Sequence, residues 1–283
     1  MIETKDILKN TTGRDCLIIL AAGEGIRLRP YTLSVPKILL KIRDRTILEY
    51  HLNAATLARI KHVIVVTGYM SRLIEKFIRT LNNNELDIEI VVNHEYERTG
   101  NFFSLFMALN RLELNSLDTL YFINGDVVFD PPILLSMKMS QYPDLVATDT
   151  DPIYYQLENP AKVKIGTKGS VIQLSRTIPL QEAAGVSMEL FKLSSTSSIA
   201  LRDRGKEILL EDKKQEWGKP LNTILSSGEY SPLAHDISKW NWWEIDTLDD
   251  YRLAKVIFAK HSNLSKFTSK GLYTAPEYWR LQE

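Results

Sequence analysis

Cysteine is almost absent from this 283-residue chain: the only thiol, Cys16, lies inside an apolar run. A single cysteine excludes an internal disulfide and a cysteine-rich zinc site, and in that setting it reads as a small buried hydrophobe. Net charge is absent too, since 35 Lys and Arg balance 35 Asp and Glu. That balance argues against nucleic acid as a partner, because such binding draws on a basic surface. No run approaches the ~20 apolar residues of a membrane span. The polar, mixed-charge stretch Met1–Arg14 does not have the form of a secretory signal, so cytoplasm is the expected location. The five histidines, His51, His62, His94, His235 and His261, are scattered and read as structural or solvated rather than catalytic.

What is present is an α/β alternation with enough apolar content, 44%, for a packed core. Cys16–Ala22, His62–Thr67, Ile88–Asn93 and Thr119–Asn124 read as strands buried on both faces. Between them Thr46–Arg59, Ser71–Leu81 and Phe102–Leu112 place apolar residues three and four apart, as helices packed on a sheet do. This order implies parallel neighbours joined by crossovers. Further on, Lys162–Ile165 and Val171–Leu174 flank a hairpin turn at Gly166–Gly169. Ala183–Leu193 reads as a strand, and Ser194–Leu210 and Pro220–Ser227 read as helices. Strand-like Trp242–Ile245 leads into helix Thr247–Lys260, with Thr247 as N-cap. We expect one continuous domain over residues 1–260, with an insertion at about 150–230, and a tail at 261–283.

The most informative segment is Ile18-Ile-Leu-Ala-Ala-Gly-Glu-Gly-Ile-Arg-Leu-Arg-Pro30, followed by Pro36-Lys37. Glycines without a Cβ, Gly23 and Gly25, let a backbone approach phosphates closely. Arg27 and Lys37 flank them as fixed cations, as a bound triphosphate would require. A dinucleotide fingerprint fits poorly: its third glycine position is Leu28, and Pro30 and Pro36 do not suit a following helix. The G-x-x-x-x-G-K-[ST] phosphate loop is absent.

Ligands of open α/β sheets lie outside the carboxyl ends of the strands. Asp126 ends one such strand and Asp246 another, and Glu244 shares a face with Asp246 if the segment is extended. Carboxylates beside triphosphate oxygens are the usual surroundings of Mg2+.

Leu20-Ala-Ala-Gly-Glu-Gly-Ile-Arg-Leu-Arg-Pro30 with Pro36-Lys37 resembles the signature of the sugar-phosphate nucleotidylyltransferases, and Asn124-Gly-Asp126 is similar to their first metal aspartate. Glu244-Ile-Asp-Thr247, with Asp250 and Tyr251, and Gly100-Asn-Phe-Phe-Ser-Leu105 resemble a narrower branch. Its members are the cytidylyltransferases acting on phosphocholine, inositol phosphate or 2-aminoethylphosphonate. The resemblance implies a Rossmann-like, GT-A-type fold with a mixed, mostly parallel sheet and a small hairpin region for the acceptor. It places Arg27 and Lys37 on the triphosphate. The backbone of Leu20, Ala21, Ala22, Gly23 and Gly25, with Gly68, Tyr69, Asn101, Ser104 and Gly125, would surround the nucleotide. Asp126, Asp246 and Glu244 would hold Mg2+, and Lys162, Arg176, Tyr154 and Tyr155 would meet the acceptor. The branch commonly has lysine where Arg176 stands.

The reaction so implied is attack of an acceptor phosphate or phosphonate oxygen on the α-phosphorus of CTP, or another nucleoside triphosphate, with release of pyrophosphate. An anionic nucleophile needs no general base, which accords with the lack of a Ser-His-Asp or Cys-His set. Two alternatives stand beside it: a hexose-1-phosphate nucleotidylyltransferase, and a non-catalytic nucleotide-binding subunit. A homodimer is compatible with the chain. The cluster Trp240, Trp242 and Trp243 reads as core packing rather than a cage for a quaternary ammonium.

Overall fold

The computed structural model describes residues 14–81, 84–151 and 160–259. In chain order its strands and helices are β1 (Asp15–Ala21), β2 (Lys41–Ile42), β3 (Arg45–Thr46), α1 (Ile47–Leu57), β4 (His62–Thr67), α2 (Ser71–Thr80), β5 (Asp87–Val92) and α3 (Asn101–Leu109). They continue as β6 (Thr119–Asn124), β7 (Val127–Phe129), α4 (Pro132–Met139), β8 (Leu145–Asp149), β9 (Lys162–Ile165), β10 (Val171–Ser175), β11 (Gly185–Ser194) and α5 (Ser195–Glu211). The last are α6 (Gly218–Ser226), β12 (Leu233–Asp236), β13 (Trp242–Glu244) and α7 (Leu248–Ala259).

The Cys-Leu-Ile-Ile-Leu run of β1 is buried throughout because parallel strands cover both its edges. Leu20 faces Val66 of β4 and Asn124 of β6, so these strands end level with one another. Alternation across the pleat sends Leu17 and Ile19 into one core cluster and Cys16, Ile18 and Leu20 into the other. Each such side chain contributes about 2 kcal/mol by leaving water. Beyond β6 the sheet turns antiparallel through β11, which also pairs with β8 and β9. The mixed, mostly parallel architecture expected from the sequence is what forms.

β5 differs from the reading as a doubly buried strand: it is the sheet's edge, with Asp87 exposed, Val91 buried and the other residues half-covered. The elements β7, α4, β8 and β12 were not legible, being short and carrying Pro131 and Pro132 or weak periodicity. Helix starts were better marked. Thr46 and Glu49 form a reciprocal capping box at α1, a cap contributing about 1 kcal/mol. Thr247 caps α7 as expected, its Oγ1 accepting from the Asp250 amide at 3.2 Å. Among the described residues no helix is long and apolar enough to cross a membrane.

Candidate active site

The level ends of β1, β4 and β6 leave a shelf on which the glycine segment lies. Gly25 sits at φ +66°, the left-handed region that favours glycine, and a Cβ there would press on Thr32 and Lys37. Gly125 donates its amide to the Leu20 carbonyl at 2.8 Å. A Cβ at Gly125 would lie 2.6 Å from that same oxygen, so only glycine lets the end of β6 fold across the end of β1. Gly68 and Tyr69 follow β4. Tyr69 donates its amide to Ala22 and its hydroxyl to the Thr32 carbonyl at 2.8 Å, pinning two turns of the segment together.

A cavity of about 160 Å³ opens beside this shelf, lined by Leu20, Ala22 and Gly23 on one side and by Asn101 and Ser104 of α3 on another. Gly100, Asn124 and Asp126 of the sequence motifs also line it, and Asn93, Tyr96 and Thr99, which were not singled out from sequence, complete the wall. Buried Asn93 donates to Thr99 at 3.0 Å and to Ser104 at 3.1 Å, which fixes the start of α3. Its signal was available, since it directly follows the carboxyl end of a parallel strand, β5, as Asp126 nearly does for β6.

Asp126 and Asp246 are far apart in sequence and are brought together by a ladder absent from the sequence reading. β13 pairs with β7, Glu244 opposite Val127, and the Ile245 amide donates to the Asp126 carbonyl at 2.9 Å. The Asp250 carboxylate accepts from the Asp246 and Thr247 amides at 3.2 and 2.7 Å, so the start of α7 holds Asp246 in place. One carboxylate oxygen each from Asp126, Glu244 and Asp246 then lie within 4.8 Å of one another. One buried oxygen of Asp126, Oδ1, has no hydrogen-bond partner among the described residues. A hard divalent cation with oxygen ligands fits that donor set and that orphaned atom.

Lys37 bridges the cluster, its Nζ 3.1 Å from Asp126 Oδ2 and 2.9 Å from Asp246 Oδ1. Arg27 donates to Asp246 Oδ2 at 2.7 Å. Both cations anticipated for phosphates thus rest on the acids. Burial opposes the Lys37 charge, but Asp126 and Asp246 outweigh it and hold its pKa above the ordinary lysine value. Burial likewise opposes ionised Asp246, yet Lys37, Arg27 and Arg176 keep its pKa low. Glu244 behaves oppositely: burial, with Glu189, Asp126 and Asp246 nearby, pushes its pKa well up.

On the antiparallel side Arg176 follows β10, and its guanidinium pairs with Glu189 at 3.2 Å. The Lys162 ammonium is buried and donates to the Arg176 carbonyl, tying β9 to the chain beyond β10. Tyr154 and Tyr155, and the tail from His261, lie outside the described residues. Glu189 was missed; its signal was a lone acid inside the apolar run Gly185-Val-Ser-Met-Glu-Leu-Phe191. Burial raises the pKa of its carboxyl, and the adjoining Arg176 guanidinium pulls it back down. The tryptophans are core residues, Trp242 also donating its indole to Asp149 at 2.7 Å. Buried His51 bonds the Val127 carbonyl, and burial lowers its pKa to about 4.

Residues 16–144 match the nucleotidyl transferase family model. Over this stretch, a little under half of its length, the chain is similar to that family. Over 124 residues, 44% of the chain, it is 36% identical to the mannose-1-phosphate guanylyltransferase catalytic subunit beta of Danio rerio. It spans about a third (34%) of the length of that relative. It is 25% identical to the choline-phosphate cytidylyltransferase of Haemophilus influenzae, over 83% of this chain and 93% of that one. The inositol-1-phosphate CTP transferase of T. maritima superposes with a TM-score of 0.70 at 17% identity, covering 88% of this chain and 96% of that structure. That likeness establishes the α/β fold with its mixed central sheet.

Proposed function

We propose that the protein transfers CMP from CTP to a small acceptor bearing a phosphate or phosphonate, releasing pyrophosphate. One observation carries this reading: Asp126, Glu244 and Asp246 converge beside a cavity at the glycine segment, with Lys37 and Arg27 on them. The acceptor oxygen forms a bond to the α-phosphorus as the bond to the β-phosphate oxygen breaks. Lys37 and Arg27 swing from the acids to the triphosphate, offsetting charge as the polyanions meet. Asp126, Glu244 and Asp246 would hold Mg2+, which when bound supplies charge neutralisation and orientation. The ends of β1 and α3, with Asn101 and Ser104, orient the nucleotide in line with the acceptor. Arg176 and Lys162 supply cations for the acceptor, whose side of the site falls within residues of about 150–230. Arginine at 176 can clamp a phosphate bidentately.

CTP is favoured by the likeness of Asn101–Leu105 and Glu244–Thr247 to the cytidylyltransferase branch, and by the relative from Haemophilus influenzae, which aligns over most of both chains. A second reading, transfer of GMP to a hexose 1-phosphate, rests on the higher identity to the guanylyltransferase over a stretch of 124 residues. A pyrophosphate-release assay crossing four nucleoside triphosphates with phosphocholine, inositol 1-phosphate, 2-aminoethylphosphonate and mannose 1-phosphate decides between them. Turnover confined to GTP and mannose 1-phosphate would sink the cytidylyl reading.

A further inference from the structure

Five non-glycine residues adopt positive φ: Arg43, Arg59, Met70, Lys168 and Glu189. The first four lie in turns or beside helix ends; Glu189, at φ +61°, sits inside strand β11 and is 2% exposed. Left-handed backbone at a glutamate is strained, and such strain persists only where the surroundings over-determine it. Here the surroundings are donors. The pairing of β11 with β8 is interrupted between Ser187 and Phe191, and Ser187 Oγ accepts the Glu189 amide at 3.0 Å. The turned side chain then receives Asn124 Nδ2, Trp217 Nε1 at 3.3 Å and Arg176 Nη2 at 3.2 Å.

These donors come from different walls of the site. Asn124 lines the nucleotide cavity two residues before Asp126, and the Trp217 amide donates to Asn101 Oδ1 at 3.0 Å. Arg176 belongs to the acceptor side and is also drawn electrostatically by Glu244, Glu216 and Asp246. Its side chain is about a third exposed (34%) while that of Glu189 is only 3% exposed, so the carboxylate lies beneath and the guanidinium reaches outward. Without Glu189 the guanidinium would be pulled onto the oxygens that Asp246 and Glu244 offer a metal.

We propose that Glu189 is a positioning residue: its buried carboxylate seats the Arg176 guanidinium beside the acid cluster and ties it to Asn124, setting the acceptor's anion against the nucleotide. This rests on the transfer reaction proposed above. Glu189→Gln keeps an oxygen for the Asn124 and Trp217 donors and removes the charge that holds Arg176. Steady-state kinetics of wild type, Glu189→Gln, Arg176→Met and the double variant should show kcat/KM for the acceptor about 10- to 100-fold lower in Glu189→Gln, the usual range for outer-shell partners. KM for CTP should move less than about threefold, because Asn124 and Trp217 keep their acceptor. The double variant should equal Arg176→Met within about twofold, since the effect passes through the arginine. Multiplicative losses, or equal losses toward CTP and acceptor, would overturn the proposal. A crystal structure of Glu189→Gln gives a readout independent of turnover: the Arg176 guanidinium should lie displaced toward Glu244 and Asp246. Finding it unmoved would overturn the seating role even in an active enzyme. A wild type inert across the whole acceptor panel would remove the reaction, while a displaced Arg176 would still support the seating.

Discussion

Replacing Lys37 by Met keeps the length of the side chain and removes its charge, and its consequences differ with and without nucleotide. The ammonium lies 3.1 Å from Asp126 Oδ2 and 2.9 Å from Asp246 Oδ1, so it occupies the space among the carboxylates where a divalent cation would sit. At ~3 Å and an effective dielectric of about 20, each contact has a gross attraction of roughly 5 kcal/mol, most of it offset by desolvation. If a quarter of one contact survives as competition with a metal, about 1.4 kcal/mol, cation affinity changes tenfold. Lys37→Met should therefore bind Mn2+ at least about tenfold more tightly than wild type in the absence of nucleotide, measured by electron paramagnetic resonance titration. Arg27→Met, whose guanidinium bonds Asp246 Oδ2 where Lys37 bridges Asp126 and Asp246, should change that affinity less. Turnover should fall in the opposite sense, about 100- to 1000-fold for Lys37→Met, because a preorganised charge on the transferring phosphoryl group is lost. Unchanged or weakened Mn2+ binding in Lys37→Met would refute the idea that lysine and metal compete for the same oxygens.

Asp126→Asn keeps the shape of the side chain and should cut metal-dependent turnover at least about 100-fold. Its melting temperature should stay within a few degrees of wild type, and a rate near wild type would remove Asp126 from the metal set. Gly125→Ala forces a Cβ to 2.6 Å from the Leu20 carbonyl. It should cost about 2 kcal/mol in urea unfolding as the β6 end shifts, with kcat falling because Asp126 moves with it. His51, whose pKa burial lowers from 6.5 to about 4, is neutral in the fold. A depressed folded pKa contributes stability that is present above 6.5 and lost as pH falls toward 4, about 3 kcal/mol in full. Urea melts from pH 7 to pH 4.5 should show this slope in wild type and lose it in His51→Gln; equal slopes would place the acid sensitivity elsewhere.

Local patterns were legible wherever one face or one turn dictates the residue type. The runs at His62–Thr67 and Thr119–Asn124 emerge as strands with the expected bounds, because β-branched and apolar residues buried on both faces leave few other options. The caps at Thr46 and Thr247 are short-range and need no tertiary context. β8 and β12 carry no comparable signal, since their pairing with β11 and with each other is decided by neighbours distant in sequence.

By itself the sequence determined the class of chemistry: a glycine segment flanked by Arg27 and Lys37 suits a triphosphate, and acids at strand ends suit a cation. Only the tertiary structure decided how those parts share charge. The pairing of β7 with β13 puts Asp126 against Glu244 and Asp246, and proximity then sends Lys37 and Arg27 onto the acids. Glu189 became visible for the same reason. A lone carboxylate in an apolar strand means little in one dimension; it becomes a hub when a left-handed turn of the backbone aims it at Asn124, Trp217 and Arg176. Charge acts through space over a few ångströms, and the residues it joins here lie tens of positions apart along the chain.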